Sequence, residues 1–274
     1  MSLAKALRSK SITRIEAGRK ISPDNDFVAV EEPLEIRVAG RSVAVVMRTP
    51  GHDRELAAGF LVTEGLIRRR DDLLDIVRCT GAEVPAGESA ENVLDVLLAP
   101  GADVDLAQLT RHVFTSSSCG ICSKASIDAV RTKLPVLAAP ISPRRSVLVT
   151  LPQRLAAEQA AFAATGGLHA SALFSDEGTL ELVREDVGRH NALDKVIGWA
   201  FFAEQLPLSG RILLVSGRVS FELMQKALAA GIACVAAISA PTTAAVEFAE
   251  ASGQTLIGFL RGERMNVYAG TLTE

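Results

Sequence analysis

Read from the amino terminus, the first regular alternation of apolar and polar positions falls at Leu34-Glu-Ile-Arg-Val38 and Val43-Ala-Val-Val-Met47. Two such runs around Ala39-Gly40-Arg41-Ser42 predict a β-hairpin with Gly40 as the turn residue. Pro50-Gly51 ends it, and Asp53 opens a segment running to Gly65 in which apolar residues recur at helical spacing. Asn92-Val-Leu-Asp-Val-Leu-Leu98 reads as a further strand, and Lys124 to Arg131 as a helix. Pro135, Pro140, Pro143 and Pro152 then punctuate the chain ahead of a helix predicted over Gln153 to Ala164. A boundary between two units is expected near Leu134 to Pro143.

The carboxyl-terminal half alternates more regularly. Strands are predicted at Arg211–Val215, Ile232–Ile238 and Thr255–Leu260, and helices over Val219–Ala230 and from Ala240-Pro241 to Ala251, with Gly231 and Gly253 as stops. This is α/β alternation around a largely parallel sheet. Ligands of such sheets sit beyond the carboxyl ends of the strands, which nominates Ser216-Gly217-Arg218, Ser239 to Thr243, and Arg261 to Arg264. The first two read equally well as polar surface loops. Arg261 and Arg264 bracket Gly262 beside a strand end, a plausible phosphate grip.

Composition narrows the class. A chain of 274 residues with 48% hydrophobic content can bury a sizeable core, which excludes disordered and fibrous classes. Its 4 cysteines do not make a disulfide framework, which points to a reducing compartment, the cytoplasm. Met1 to Lys20 has no apolar core of a signal peptide, and no stretch is long and apolar enough to span a membrane. A net charge of -3 argues for neither nucleic acid nor an acidic membrane surface as partner, so any anion site must be local.

Candidate chemistry centres on Cys119-Gly120-Ile121-Cys122, within Thr115 to Lys124. From Leu106 to Ile127 there is no Asp or Glu, whereas Arg111, His112 and Lys124 are close in sequence. That setting favours thiolate, the nucleophilic form, and the amide-rich start of the following helix adds to it. A buried structural pair is the bland alternative, but the serine-rich flanks read as a loop. A zinc site would join Cys119 and Cys122 with His112 and then lacks a fourth ligand, so no metal is expected. A thioredoxin-type dithiol requires a preceding buried strand, which is not evident. An activated cysteine on a loop, as in sulfur-transferring proteins, remains.

Two histidine segments carry further functional groups. His169-Ala170-Ser171 is reminiscent of the His-Ala-Glu of zinc nucleobase deaminases, but Ser171 stands at the glutamate position and the cysteine pair lies upstream. Glu185, Asp186, Arg189, His190, Asn191, Asp194 and Lys195 crowd one segment, which reads either as a site or as a salt-bridged, solvated helix start.

Together these motifs resemble the formate dehydrogenase accessory sulfurtransferases of the FdhD type. The resemblance runs through Arg48 to Gly65, Ser117-Ser-Cys-Gly-Ile-Cys122, Gly167-Leu-His-Ala170, Glu185 to Lys195 and Ser216-Gly-Arg218, in one order over most of the chain. Ser123 departs from it, standing where many relatives carry glycine. The resemblance implies a cytidine-deaminase-like α/β carboxyl-terminal domain with a mixed or parallel sheet over residues 141–274. A smaller α+β amino-terminal domain, residues 1–140, would end in the cysteine loop and its helix. It implies further that a cysteine desulfurase hands sulfur to Cys119, assisted by Cys122. The sulfur would then go to a molybdenum or tungsten bis(pterin guanine dinucleotide) cofactor, bound as substrate, for the formate dehydrogenase catalytic subunit. Phe259, Leu260, Arg261, Gly262, Glu263 and Arg264 match the cofactor-binding segment, and a homodimer is implied. A cofactor-binding chaperone without sulfur chemistry is the alternative.

Overall fold

A computed structural model of the chain describes residues 3–79, 89–102, 137 and 141–274. Cys119, Cys122, the helix predicted over Lys124–Arg131 and most of the predicted boundary lie outside the described residues. β1 (Leu7–Glu16) and β2 (Arg19–Ala29) form an antiparallel ribbon whose turn, Ala17-Gly18, has φ of 47° and 80°. Positive φ at both central residues matches the twist of the two strands. No residue of β1 is buried, so this ribbon has no apolar alternation to announce it.

β3 (Glu32–Val38) and β4 (Arg41–Arg48) are the predicted hairpin. Ala39 and Gly40 both take positive φ, and the Gly40 N–H donates to the Asp95 carboxylate at 3.0 Å. β5 (Leu73–Arg78) and β6 (Val93–Leu98) complete a four-stranded sheet of order β4-β3-β6-β5. Leu34, Ile36 and Val38 are buried at every second position of β3, and the predicted helix, observed at Asp53–Thr63, packs in the same apolar cluster through Leu56 and Leu61.

Among the described residues the second sheet has six strands. In chain order they are β7 (His169–Ser175), β8 (Leu180–Asp186), β9 (Arg211–Val215), β10 (Cys234–Ala237), β11 (Thr255–Arg261) and β12 (Arg264–Ala269). Their spatial order is β12-β11-β10-β9-β7-β8. The β9–β10 and β10–β11 pairs are parallel, whereas the β9–β7, β7–β8 and β11–β12 pairs are antiparallel, so the sheet is mixed rather than largely parallel. The sequence hides β7 because its five central residues are all buried and show no period of two.

The helix expected over Gln153–Ala164 is two, Leu151–Glu158 and Ala160–Thr165, broken at Gln159. The break turns the N–H groups of Ala161 and Phe162 onto the Glu185 carboxylate, at 3.2 and 2.8 Å. One apolar cluster runs from Leu34, Leu56 and Leu94 through Leu193 and Val196 to Leu256, so the two sheets share a core. Between them the Asp53–Thr63 and Arg189–Phe202 helices cross at Gly59 and Gly198. A Cβ on Gly59 would lie 1.8 Å from the Asp194 carbonyl oxygen, and one on Gly198 would lie 1.8 Å from that of Glu55. Glycine is required there because backbone meets backbone. Among the described residues no helix is long and apolar enough to cross a membrane.

Candidate functional site

Parallel β9, β10 and β11 end together, and the antiparallel partners bring further groups to the same end. The register of Ser171 with Val215 places His169 beside Gly217, whose ideal Cβ would be 3.1 Å from His169 Nδ1. β8 delivers Asp186 opposite His169. Helices Arg189–Phe202, Phe221–Ala229 and Thr243–Ser252 each start directly beyond these strand ends. Three helix amino termini therefore direct partial positive charge to one edge of the sheet. Arg189, Arg218, Arg261 and Arg264 add full charges there.

His169 responds to this field. Burial pushes its pKa down, and the charges of Arg189 and Arg218 push it further, against the pull of Asp186, so the neutral imidazole is favoured. Arg189 Nε and Ser171 Oγ are buried with no hydrogen-bond partner among the described residues, and Gln159 Nε2 is in the same condition. Ser171 is 1% exposed and offers no acid at the position where a deaminase carries glutamate. Among the described residues no group of three His, Cys, Asp or Glu side chains is placed to hold a metal ion.

The Glu185–Lys195 segment is not a solvated helix start. Its polar side chains form a buried frame. Lys195 and Asp186 are both 0% exposed and 2.6 Å apart. Lys195 Nζ also donates to the carbonyls of Thr49 at 2.9 Å and Glu185 at 3.3 Å. Asp186 accepts the N–H groups of Thr49 and Gly188, at 3.1 and 2.8 Å, and Asn191 Nδ2 at 2.9 Å. The turn after β4 is thus fastened to the start of the Arg189 helix. Asp194 is held by Lys226 at 2.9 Å, and Arg184 by Glu55 at 2.6 Å. Burial raises the Glu185 carboxyl pKa, against its two N–H donors and Lys195. Exposed positions in the sequence pattern cannot be told from buried ones of this kind, because charge normally signals solvent.

His190, Ser220 and Glu222 meet nearby, but not as a hydrolytic triad. His190 Nε2 lies 3.3 Å from both Ser220 Oγ and Glu222 Oε2, and Ser220 donates its own proton to Glu222 at 2.8 Å. A nucleophile would need the histidine as acceptor of that proton.

The nominated segment Phe259 to Arg264 forms the end of β11, the turn and the start of β12. Phe259 has φ 53° at a bulge, is 40% exposed, and donates its N–H to the Ser239 carbonyl at 3.0 Å. Leu260 is buried in the core, whereas Arg261, Gly262, Glu263 and Arg264 are exposed. Arg261 and Arg264 are paired across the turn, and Arg261 Nε donates to the Ile238 carbonyl at 3.2 Å. Ile238 in turn forms part of the wall of a cavity of about 510 Å³, with Gln159, Phe162, Gly167, His169 and Ser216. Gln159 and Phe162 carry no motif, and only the helix break reveals them.

This fold recurs in the crystal structure of a formate dehydrogenase accessory protein from Desulfotalea psychrophila, at TM-score 0.75 and 22% identity over 97% of both chains. The sequence profile of the FdhD/NarQ family matches residues 29–273, and the chain belongs to that family. It is 51% identical over 271 residues to the sulfur carrier protein FdhD of Streptomyces coelicolor, covering 98% of this chain and 95% of the relative. The sulfur carrier protein FdhD of Mycobacterium tuberculosis is 53% identical over 89% of this chain and 90% of its own. That of Sulfolobus acidocaldarius is 41% identical over 96% of both.

Proposed function

We propose that this chain is a sulfur carrier that serves formate dehydrogenase by passing persulfide sulfur to a molybdenum or tungsten bis(pterin guanine dinucleotide) substrate. The observation that carries the reading is the identity to proteins named sulfur carriers, which extends over 98% of the chain and so includes the cysteine loop within its span. The Cys119 thiolate attacks the terminal sulfur of a desulfurase persulfide; the S–S bond breaks, the desulfurase leaves as thiolate, and Cys119 carries the persulfide. Cys122 then attacks the inner sulfur of Cys119, releasing hydrosulfide toward the metal and leaving a Cys119–Cys122 disulfide that a cellular dithiol reduces. The positive sheet end and the exposed Arg261–Arg264 turn support binding of the pyrophosphate of that substrate. The same reading takes the protein as a cytoplasmic homodimer whose carboxyl-terminal unit is cytidine-deaminase-like.

The test is peptide mass spectrometry after incubation with a cysteine desulfurase and isotopically labelled cysteine, with alkylation of each cysteine. One labelled sulfur on Cys119 is expected. No label on Cys119 or Cys122 beside an active desulfurase would replace the carrier with a cofactor-binding chaperone. Arg261→Ala and Arg264→Ala should each weaken nucleotide binding by about 10-fold without lowering the melting temperature, the loss of one charge-assisted contact.

A further inference from the structure

Two antiparallel strands without a third partner are at best marginally stable in water, and the β1–β2 ribbon is such a pair among the described residues. No residue of β1 is buried, and Ile15, Phe27 and Val28 are 69%, 52% and 40% exposed. At the base of the ribbon Leu7 and Ala29 pack with Ala6, Ala161 and Leu168, and the Val30 N–H donates to the Ala6 carbonyl at 2.8 Å. That base stands at the rim of the cavity, since Gly167 and Leu168 line it and an ideal Cβ on Gly167 would be 3.4 Å from the Ala29 Cβ. The outer edge of β1 pairs with no described strand, so its backbone groups are open to a strand from another chain. β2 is the poorer edge, because Pro23 has no N–H to offer. The ribbon also falls ahead of residues 29–273, the part that matches the family profile, so the shared sulfur chemistry does not call on it.

Charge decides what such a strand would be. β1 carries Arg8, Lys10 and Arg14 against Glu16 alone, in a chain of net charge -3. Arg14 is held by Asp24 at 2.5 Å and Arg8 reaches Glu32 at 3.4 Å, whereas Lys10, though opposite Asp26, forms no ion pair among the described residues. A second copy fits this edge poorly. Two-fold antiparallel pairing of β1 with itself, centred on any residue from Ser9 to Ile12, sets two of Arg8, Lys10 and Arg14 directly opposite each other, and like charges so placed are destabilising. An acidic strand turns the same positions to advantage. We propose that the outer edge of β1 is a docking strand for the formate dehydrogenase catalytic subunit, which adds to it an extended segment carrying acidic side chains. The inference rests on the reading above of that enzyme as the client: a recipient of the finished substrate must approach the cavity and sheet end, and the ribbon rises from that rim.

The cofactor-free catalytic subunit of formate dehydrogenase from the same organism is titrated into the full chain by calorimetry. Beside it runs a variant in which residues 8–28 are replaced by an Asn-Gly turn joining the register partners Leu7 and Ala29. The shortened chain should bind at least about 10-fold more weakly, and Lys10→Glu, at an exposed position, about 5-fold more weakly, whereas Lys10→Arg should keep the affinity. Binding by the full chain should weaken as salt rises. Labelling of Cys119 by desulfurase should stay at the level of the full chain in all three variants. Unchanged affinity in the shortened chain would overturn the docking strand and leave the client reading standing, whereas no binding by the full chain would remove both. If the shortened chain does not fold, Lys10→Glu decides alone, and equal affinity there overturns the proposal. Loss of Cys119 labelling in the shortened chain would reassign the ribbon to the desulfurase, and a fall from dimer to monomer in sedimentation would reassign it to a second copy; either result overturns the proposal.

Discussion

Replacing Gly59 by alanine sets two opposed effects against each other. In a helix interior, alanine is favoured over glycine by about 1 kcal/mol. Here, however, the new Cβ would stand 1.8 Å from the Asp194 carbonyl oxygen, 2.6 Å from its carbonyl carbon and 2.9 Å from the Gly198 nitrogen. All three are backbone atoms of the facing helix and cannot rotate away. Restoring ordinary contact distances requires the helices to part by about 1.5 Å, and a gap of even 0.5–1 Å forfeits roughly a quarter to a half of each dispersion contact. The crossing is flanked by Leu56, Leu193, Val196 and Ile197, each no more than 1% exposed, so those losses fall in the core. Overpacking of this kind costs about 1–3 kcal/mol and at times more. The clash wins, and a net loss of about 2 kcal/mol or more is expected, a fall of at least about 4 °C in melting temperature for a chain of this size. Scanning calorimetry on Gly59→Ala and Gly198→Ala measures it. Gly167→Ala is the control: its nearest neighbour would be the Ala29 Cβ at 3.4 Å, an ordinary contact. An equal or higher melting temperature for Gly59→Ala would refute the argument that backbone contact fixes these glycines.

Three further outcomes follow from the buried groups. Lys195→Met should destabilise by about 3–5 kcal/mol in denaturant titration, because Asp186 is left charged and buried, and adding Asp186→Leu should recover part of the loss; no recovery would assign the defect to packing. Burial pushes the Cys234 thiol up to about 12, so alkylation at pH 8 should spare Cys234 in the folded chain and modify it only after unfolding; rapid labelling of native protein would contradict its burial. Burial alone would raise the Glu55 carboxyl, but hydrogen bonds and charge from His52 and Arg184 outweigh it and hold the folded value below the ordinary 4.5. Its stabilising contribution is therefore present above pH 4.5 and lost as pH falls through the folded value, so the deficit of Glu55→Gln measured at pH 7 should shrink on acidification; a deficit that grows would reverse the sign.

Local patterning made much of this chain legible before any tertiary contact was known. The β3–β4 hairpin follows from alternation around a turn, and the units from β9 to β11 follow from apolar strands separated by helices that glycine terminates. The Arg261–Arg264 turn was visible because a strand end and a glycine mark it in sequence. The family resemblance was legible too, since it rests on separate motifs in a fixed order.

Tertiary structure decided what depends on residues remote in the chain. From sequence the charge in the Glu185–Lys195 segment reads either as a site or as a solvent-facing helix start, and only the fold shows Lys195 and Asp186 sealed beneath the turn at Thr49, where a buried ion pair and backbone carbonyls replace water. The crossing of Gly59 over Gly198 has no local signal, because a glycine inside a helix reads only as a weak helix former until another backbone is laid against it. The β1–β2 ribbon escaped because an exposed strand needs no apolar face. Gln159 escaped for a related reason: it is unremarkable in sequence, and only the break between two helices sets it in the wall of a cavity with residues from three other parts of the chain. Sequence fixes conformation through short-range sterics and periodic burial, whereas desolvation, ion pairing and cavity shape arise only once distant segments exclude water between them.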